Sequence, residues 1–488
     1  MVLPKILKNS SIYTIIMILQ KGLSFFLLPI YTYYLSPSDY GILGVVTSVS
    51  SFLSVLITLG VTGAATRFYY LNDDAEYRKK MFGTVSLVII CNTLLFGSLF
   101  IVGHSFIIDP IIGTIPFYPY VLIALLTVIV TPLYTFFQDY LVTSQNGVRY
   151  GVNSMSFFLL NVLLILVSLC YFKLGVIGVL LANLLTSIIF FIYVIIAFLP
   201  KITMRLDKSI LKQSLKYSLP LVPHSLANWS NGTIDKLLVN GLKSQTDAGL
   251  YNLGQQYGTV MNSIAVGLNQ AYTPWFYEKV NNGNEGYKVI RNVSEASVWF
   301  LALIGLVLAI FSKEVLGIMV HNPAYADVWK IIPCIVFAYV FQSLYFFFVN
   351  VLFLKDTKFV FIITITSVVF NVILNLLLIP YFGFLGCGIA CLFTYFSKSV
   401  LALVLSILKN KEIQYRWISM YFAALLALCC SFVPALIEHR CGLFGFLLKL
   451  SICCIFSTFV LYKYKDSIKP FLNKLKRHNN CINDAEES

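Results

Sequence analysis

Four polar side chains recur at intervals of four, three and four residues: His224, Asn228, Asn231 and Asp235. On a helix that spacing places them on one face. Ser225, Trp229, Gly232 and Lys236 form the adjoining stripe. Downstream, Tyr251, Gln255, Asn262 and Asn269 repeat the theme, and Thr47, Ser51, Ser54 and Thr58 do so near the start of the chain. All of these lie within long apolar runs. Lipid cannot satisfy such groups, so they face water or other protein. They read as the wall of a water-filled cavity. Hydroxyls can equally serve as glue between helices. Cations also interrupt the apolar runs, at Lys21, Arg67, Lys236, Lys398 and Lys449. Intramembrane charges are costly and mark pathways or partners. Lys21, Arg67, Lys236 and Lys398 are candidates to attract an anion. Lys449 is expected to snorkel, a reading that Lys236 and Arg67 also admit. Asp235 and Asp139 are candidates to carry a coupling cation, although Asp139 could instead pair with Arg149. No metal site and no cofactor are expected. Most cysteines lie in apolar runs as small hydrophobes, no Cys-x-x-Cys occurs, and His is sparse.

The elements that position these residues follow from composition. The 488 residues are 58% hydrophobic and only 11% charged, with a mean hydropathy of +0.83. Soluble domains carry about 25% charged residues. A water-soluble enzyme and a disordered chain are excluded. So is a nucleic-acid-binding protein, despite the net charge of +14, because the basic residues sit between apolar runs. A spanning helix needs about 20 apolar residues. Fourteen such runs are readable: Ser11–Tyr34, Tyr40–Gly63, Met81–Gly103, Ile115–Val142, Val152–Phe172, Val176–Leu199, Ser218–Asn240, Ala248–Tyr272, Val293–Phe311, Ile331–Leu354, Phe359–Ile379, Phe384–Ile407, Ile418–Leu436 and Leu443–Tyr462. They are continuous rather than alternating, which excludes a transmembrane barrel. The first is too long for a signal peptide and is expected to stay as a helix. The expected class is an all-α integral membrane protein. The organisation is an N-lobe of six helices (1–200), a basic linker (201–217), a C-lobe of six (218–408), two extra helices (409–463) and a tail (464–488).

Lysine and arginine bias sets orientation. With the N-terminus inside, only Lys173, Lys243, Lys313, Lys330 and Arg440 fall outside, and the linker and tail are cytoplasmic. Both termini are then cytoplasmic. The tail's basic part is expected to lie on the anionic inner leaflet. The two lobes also match each other at a shift of 208 positions: Asp39 falls on Asp247, Gly41 on Gly249, Gly175 on Gly383 and Thr186 on Thr394. Asn161-Val162 matches Asn371-Val372 at a shift of 210. Six helices per copy make this a parallel repeat, and transporters built so bind substrate between the halves.

The segment Leu28-Pro29-Ile30-Tyr31, followed by Tyr34-Leu35-Ser36-Pro37-Ser38-Asp39-Tyr40-Gly41, resembles the opening of Wzx-type polysaccharide flippases. The layout of six, six and two helices resembles the wider multidrug/oligosaccharidyl-lipid/polysaccharide exporter superfamily. The resemblance implies a V-shaped pair of bundles in the bacterial cytoplasmic membrane. It implies a substrate of oligosaccharide on undecaprenyl pyrophosphate, flipped from the inner to the outer leaflet for surface polysaccharide such as O-antigen or capsule. It implies a cationic cavity for the pyrophosphate. Relatives often use arginines there, whereas the candidates here are mostly lysines, point charges without a bidentate fork. Under this reading Lys21, Lys236 and Lys398 attract the pyrophosphate. Asn228, Asn231, Gln255 and Asn262 hydrogen-bond sugars, and Trp229 and Tyr251 stack on them. Partners would include membrane lipids, an H+ or Na+ counter-ion, and polymerase and chain-length proteins of the same pathway. No bond is broken, so the protein is not expected to be an enzyme. One rival is a drug or cation antiporter on the same fold, which would want more acidic cavity residues. The other is a membrane polymerase or glycosyltransferase, which needs a catalytic outer loop. The longest outer segment, Ser312–Lys330, carries only Glu314, His321 and Asp327 as candidates.

Overall fold

A computed structural model describes residues 2–355, 358–410, 412–437 and 442–465, without some side chains, including those of the first eight residues, Asn228 and Asn231. The tail beyond 465, where the basic stretch turns acidic, lies outside the described residues. The described chain is helical: α1 (Val2–Phe26), α2 (Leu28–Tyr34), α3 (Pro37–Thr58), α4 (Val61–Leu71), α5 (Ala75–Val102), α6 (His104–Ile107), α7 (Asp109–Ile112), α8 (Leu122–Thr143), α9 (Gly147–Leu166), α10 (Gly175–Ala197), α11 (Lys208–Ser218), α12 (Val222–Leu242), α13 (Gln245–Val280), α14 (Gly283–Ile310), α15 (Ser312–Met319), α16 (Ile332–Lys355), α17 (Lys358–Phe382), α18 (Phe384–Lys409), α19 (Trp417–Ile437) and α20 (Gly442–Lys463).

Among the described residues, eleven helical segments are long and apolar enough to cross a membrane. This is a multi-pass helical membrane protein. Three of the fourteen expected runs fall short of that measure. The runs at 218–240 and 248–272 are helical, as α12 and α13, but their polar stripes lower their apolarity. The run at 418–436 is helical as α19, with a shorter apolar stretch over Trp417–Val433. The expected second run is also interrupted. Leu59 and Gly60 adopt left-handed φ of 46° and 68°, and the chain resumes as α4. Leu59 is strained there, since a Cβ disfavours that region.

The chain forms two compact units. One comprises 1–256, 317–328 and 364–390, and the other 257–316, 329–363 and 391–488. In the first, Phe82, Phe136, Phe137, Tyr140 and Phe198 form a ring cluster on α5, α8 and the end of α10. Gln138 donates to Tyr134 at 2.9 Å and to Ser154 at 2.8 Å, which satisfies its buried amide nitrogen. The linker docks by its backbone: Thr203 N–H donates to the Lys79 carbonyl at 3.1 Å, and Thr84 donates to the Arg205 carbonyl at 3.1 Å. α11 then buries Ile210, Ser214 and Ser218, leaving Lys208, Lys212 and Lys216 exposed.

In the second unit, α16 is the enclosed element; its spanning window is 89% buried. An apolar helix buried all round is what continuous hydrophobicity permits. α14 packs against α19 and α20 through Trp299, Phe422, Phe456 and Phe459. Polar clamps accompany that packing. The Glu295 carboxylate accepts from Arg416 at 3.0 Å, Lys463 at 2.9 Å and Ser419 at 2.6 Å. Lys449 pairs with Glu314 at 2.7 Å, its side chain 4% exposed. The expectation that Lys449 snorkels is therefore corrected: it is a buried ion-pair member.

Candidate functional site

The polar face of α12 is built inward from Asp235. That carboxylate is 1% exposed. One oxygen accepts from the Tyr251 hydroxyl of α13 at 2.7 Å, and the other from the Asn375 amide of α17 at 2.7 Å. The same Asn375 nitrogen also donates to the Asn371 carbonyl at 3.0 Å and to its side-chain oxygen at 3.1 Å. Buried carboxylates persist where hydrogen bonds replace water. The Asn375 side-chain oxygen is buried and accepts no hydrogen bond among the described residues. The site therefore gathers a carboxylate from α12, a phenol hydroxyl from α13 and amide oxygens from α17. Hard oxygen donors of this kind suit a proton or a hard cation.

Nearly two turns away on α12, Trp229 crosses to α3. Its indole N–H donates to the Ser48 carbonyl at 3.2 Å and to Ser51 at 3.1 Å, and its ring lies 5.0 Å from Phe52. Gln255 donates to the Gly232 carbonyl at 3.0 Å. The α3 hydroxyls are largely satisfied by their own helix: Thr47, Ser51, Ser54 and Thr58 each donate to the carbonyl four residues back. They are weaker ligand candidates than the amides. Thr47 and Ser50 also line a cavity of about 230 Å³ with Thr127, Thr131, Asn161 and Asn183.

The structure thus brings Asp235, Tyr251, Trp229 and Gln255 together around α12. His224 and Lys236 are half-buried on the same helix. The side chains of Asn228 and Asn231 lie outside the described residues, though both positions are helical. Asn371 and Asn375 complete the Asp235 cage and were not among the sequence candidates. Their spacing of four on an apolar helix was the available signal.

The remaining candidates lie elsewhere. Lys398, on α18 in the second unit, is 7% exposed, with its ammonium 4.4 Å from the Tyr345 ring centre and 5.6 Å from that of Tyr395. Two aromatic faces supply part of the stabilisation that a buried cation loses from water. Asn262, in the same unit, has a buried side-chain oxygen without a hydrogen-bond partner among the described residues. Lys21 is exposed on α1. Arg67 is exposed on α4, its guanidinium 4.7 Å from the Tyr217 ring centre. Asp139 is exposed on α8. Arg149 is engaged by Tyr193 at 3.4 Å and lies 5.5 Å from the Phe137 ring centre. Among the described residues no ion pair joins Arg149 to Asp139.

Known proteins carry the same plan. The family model described as "Polysaccharide biosynthesis protein" matches residues 6–280, and that of MatE matches residues 220–377. A curated relative, "Lsg locus putative protein 1" of Haemophilus influenzae, is 24% identical over 326 residues, covering 64% of this chain and 76% of that protein. Among solved structures, the lipid II flippase MurJ in an inward closed conformation aligns with a TM-score of 0.73 at 16% identity, covering 93% of this chain and 99% of that one. An inward-facing multidrug resistance MATE family transporter of the MOP superfamily aligns with a TM-score of 0.61 at 16% identity, covering 80% and 94%. At such identity these two likenesses establish the fold. The sequence match over more than half of the chain establishes the family: the protein belongs to the polysaccharide biosynthesis protein family.

Proposed function

We propose that this protein flips an oligosaccharide carried on undecaprenyl pyrophosphate from the inner to the outer leaflet of the bacterial cytoplasmic membrane. The sugar head cannot cross hydrocarbon unaided. Each hydroxyl stripped of hydrogen bonds costs about 2–7 kcal/mol. The protein supplies a polar route for the head while the tail stays in lipid. Fourteen helices, as lobes 1–200 and 218–408 plus two extra helices, with both termini cytoplasmic, complete this reading. Gly175 and Gly383, matched by the internal repeat, share a φ of +57° at the starts of α10 and α18, which supports two copies of one fold.

The observation that carries the proposal is Lys398, a lysine 7% exposed within a spanning helix of a chain of the polysaccharide biosynthesis protein family. A buried ammonium set against two aromatic faces is poised to accept an anionic group. Lys21, Lys236 and Arg67 are the further cations for the pyrophosphate. His224, Asn228, Asn231, Gln255 and Asn262 bind sugar hydroxyls, and Trp229 and Tyr251 offer stacking faces. Rocking of the lobes switches access. Outward movement of an anion runs with an inside-negative potential, about 2.3 kcal/mol per charge per 100 mV. Counter-transport of H+ or Na+ adds to this, with Asp235 as the carrier; its cage of amide and phenol groups supports the assignment, and Asp139 is the second candidate. The lipid II flippase, named for a lipid-linked substrate, is similar in fold and favours the same class.

A cation antiporter is the second reading. The buried Asp235 carboxylate and the fold likeness to a multidrug transporter favour it. Reconstitution separates the two. Proteoliposomes holding undecaprenyl-pyrophosphate oligosaccharide should pass its sugar into reach of an impermeant modifying reagent, and cationic dyes should not be moved. Dye transport without sugar flipping would select the antiporter.

A further inference from the structure

The clamp on α14 gathers more positive charge than its carboxylate neutralises. Both oxygens of the buried Glu295 are taken. One accepts from Lys463 at 2.9 Å and Ser419 at 2.6 Å, and the other from Arg416 at 3.0 Å. One cation suffices to pair a buried carboxylate; here there are two. One turn back on the same face of α14 stands Arg291, and three residues further back Lys288. The Arg291 Nε is buried and donates no hydrogen bond among the described residues. Glu412, on the segment leading into α19, is exposed and accepts from the Tyr287 hydroxyl at 2.7 Å. Four cations thus stand with two carboxylates at this end of α14, α19 and α20.

The cations are held in place. Ser419 accepts from Lys463 at 2.9 Å and from the Trp299 indole at 3.1 Å. The Lys463 ammonium also stands 4.4 Å from the Trp299 ring centre. Arg416 engages Glu295 through Nη1, and its side chain is exposed. The rest of its planar fork is open to a phosphate.

Apolar surface begins where these charges end. Lys463 closes the spanning segment of α20, and Arg416 immediately precedes α19. The Trp299 ring lies 5.2 Å from that of Phe459 and 6.4 Å from that of Phe422. Both phenylalanines are exposed, as is Ile418 at the start of α19. A free phosphate would use only the cations. An amphipathic anion uses the cations and the rings together, as lipid headgroups do in basic pockets between spanning helices.

We infer that Arg416, Lys463 and Arg291 form a binding site for an anionic phospholipid, its phosphodiester bridging the cations and its acyl chains running along Phe422 and Phe459. The site uses none of the residues assigned to the transported substrate, and it holds whether or not sugar is flipped.

Native mass spectrometry of the full-length protein, titrated with phosphatidylglycerol or zwitterionic phosphatidylcholine, tests it. The parent should hold phosphatidylglycerol several-fold more tightly. Arg416→Gln keeps an N–H for Glu295 and removes the exposed charge. It should weaken phosphatidylglycerol about ten-fold, as losing a hydrogen bond to a charged group does, and leave phosphatidylcholine unchanged. Glu295→Gln removes the competing carboxylate and should tighten phosphatidylglycerol. Weaker binding in both variants would make the cluster a structural clamp alone. Lys208→Gln, exposed on α11, should change neither lipid. Equal losses in Arg416→Gln and Lys208→Gln, or parental affinity in Arg416→Gln, would overturn the site. A second measurement needs no variant. Phenylglyoxal modification of Arg416 in nanodiscs should fall several-fold when phosphatidylglycerol replaces phosphatidylcholine, and by more than that of Arg205, exposed on the linker. Inorganic phosphate added to phosphatidylcholine nanodiscs should leave Arg416 reactive. Protection by phosphate alone would assign a free-phosphate site instead, and equal protection of both arginines would assign general surface charge; either result overturns the lipid site.

Discussion

At the scale of the residue, two groups carry the proposed chemistry, and each has a discriminating substitution. Lys398 is buried beneath Tyr345 and Tyr395. Lys398→Ala should lower flipping at least ten-fold while membrane insertion is unchanged, whereas Lys398→Arg should retain part of the rate. Flipping by vesicle-reconstituted variants measures both, and no activity in the arginine form would assign Lys398 a packing role. Asp235→Asn keeps an oxygen for the Tyr251 hydroxyl but removes the charge. Flipping driven by an imposed H+ or Na+ gradient should then lose its dependence on that gradient, while downhill flipping persists. Gradient dependence equal to that of the parent would remove Asp235 as carrier. Sequence alone revealed both residues because charge in an apolar run is visible as such. It did not reveal their partners. Asn375 reaches Asp235 across 140 positions, and Glu314 reaches Lys449 across 135. A cross-helix partner leaves no local signature, which is why Lys449 read as a snorkelling residue.

At the scale of the element, apolar length identified the helices well and their interruptions poorly. The stretch Val55–Gly63 carries no charge and only Thr58 and Thr62 as polar side chains, so the break at Leu59–Gly60 could not be read from hydrophobicity. The polar stripes of α12 and α13 were legible through spacing, and those stripes also hold both helices below the apolarity of their neighbours. The clamp of α19 and α20 on α14 makes an asymmetric prediction. Glu295 is 2% exposed at its side chain, whereas Arg416 and Lys463 are 56% and 30% exposed. Removing both cations, as Arg416→Ala with Lys463→Ala, strands a buried carboxylate at a cost of about 3–5 kcal/mol. Glu295→Gln keeps an acceptor for Ser419 and releases the cations toward water, at a cost of about 1 kcal/mol. Thermal unfolding in detergent should show the larger loss for the double variant. A larger loss for Glu295→Gln would mean that the clamp rests on the carboxylate charge alone.

At the scale of the whole molecule, the multi-pass helical plan was legible because lipid admits few backbone solutions. The matched sequence over residues 6–280 then placed the chain in its family, and the likeness to solved structures gave its fold. The internal shift of 208 positions pairs Gly41 with Gly249 and Gly175 with Gly383; the first two approach each other closely, and the second two share a φ of +57°. The proposed substrate chemistry rests on two separate features, the buried Lys398 of α18 and the polar face of α12. Purified protein in vesicles, given undecaprenyl-pyrophosphate oligosaccharide in one leaflet, provides the decisive assay. The sugar should become accessible in the opposite leaflet at a rate set by the protein and lost with Lys398→Ala. A rate no greater than that of protein-free vesicles would contradict the transport of lipid-linked oligosaccharide by this chain.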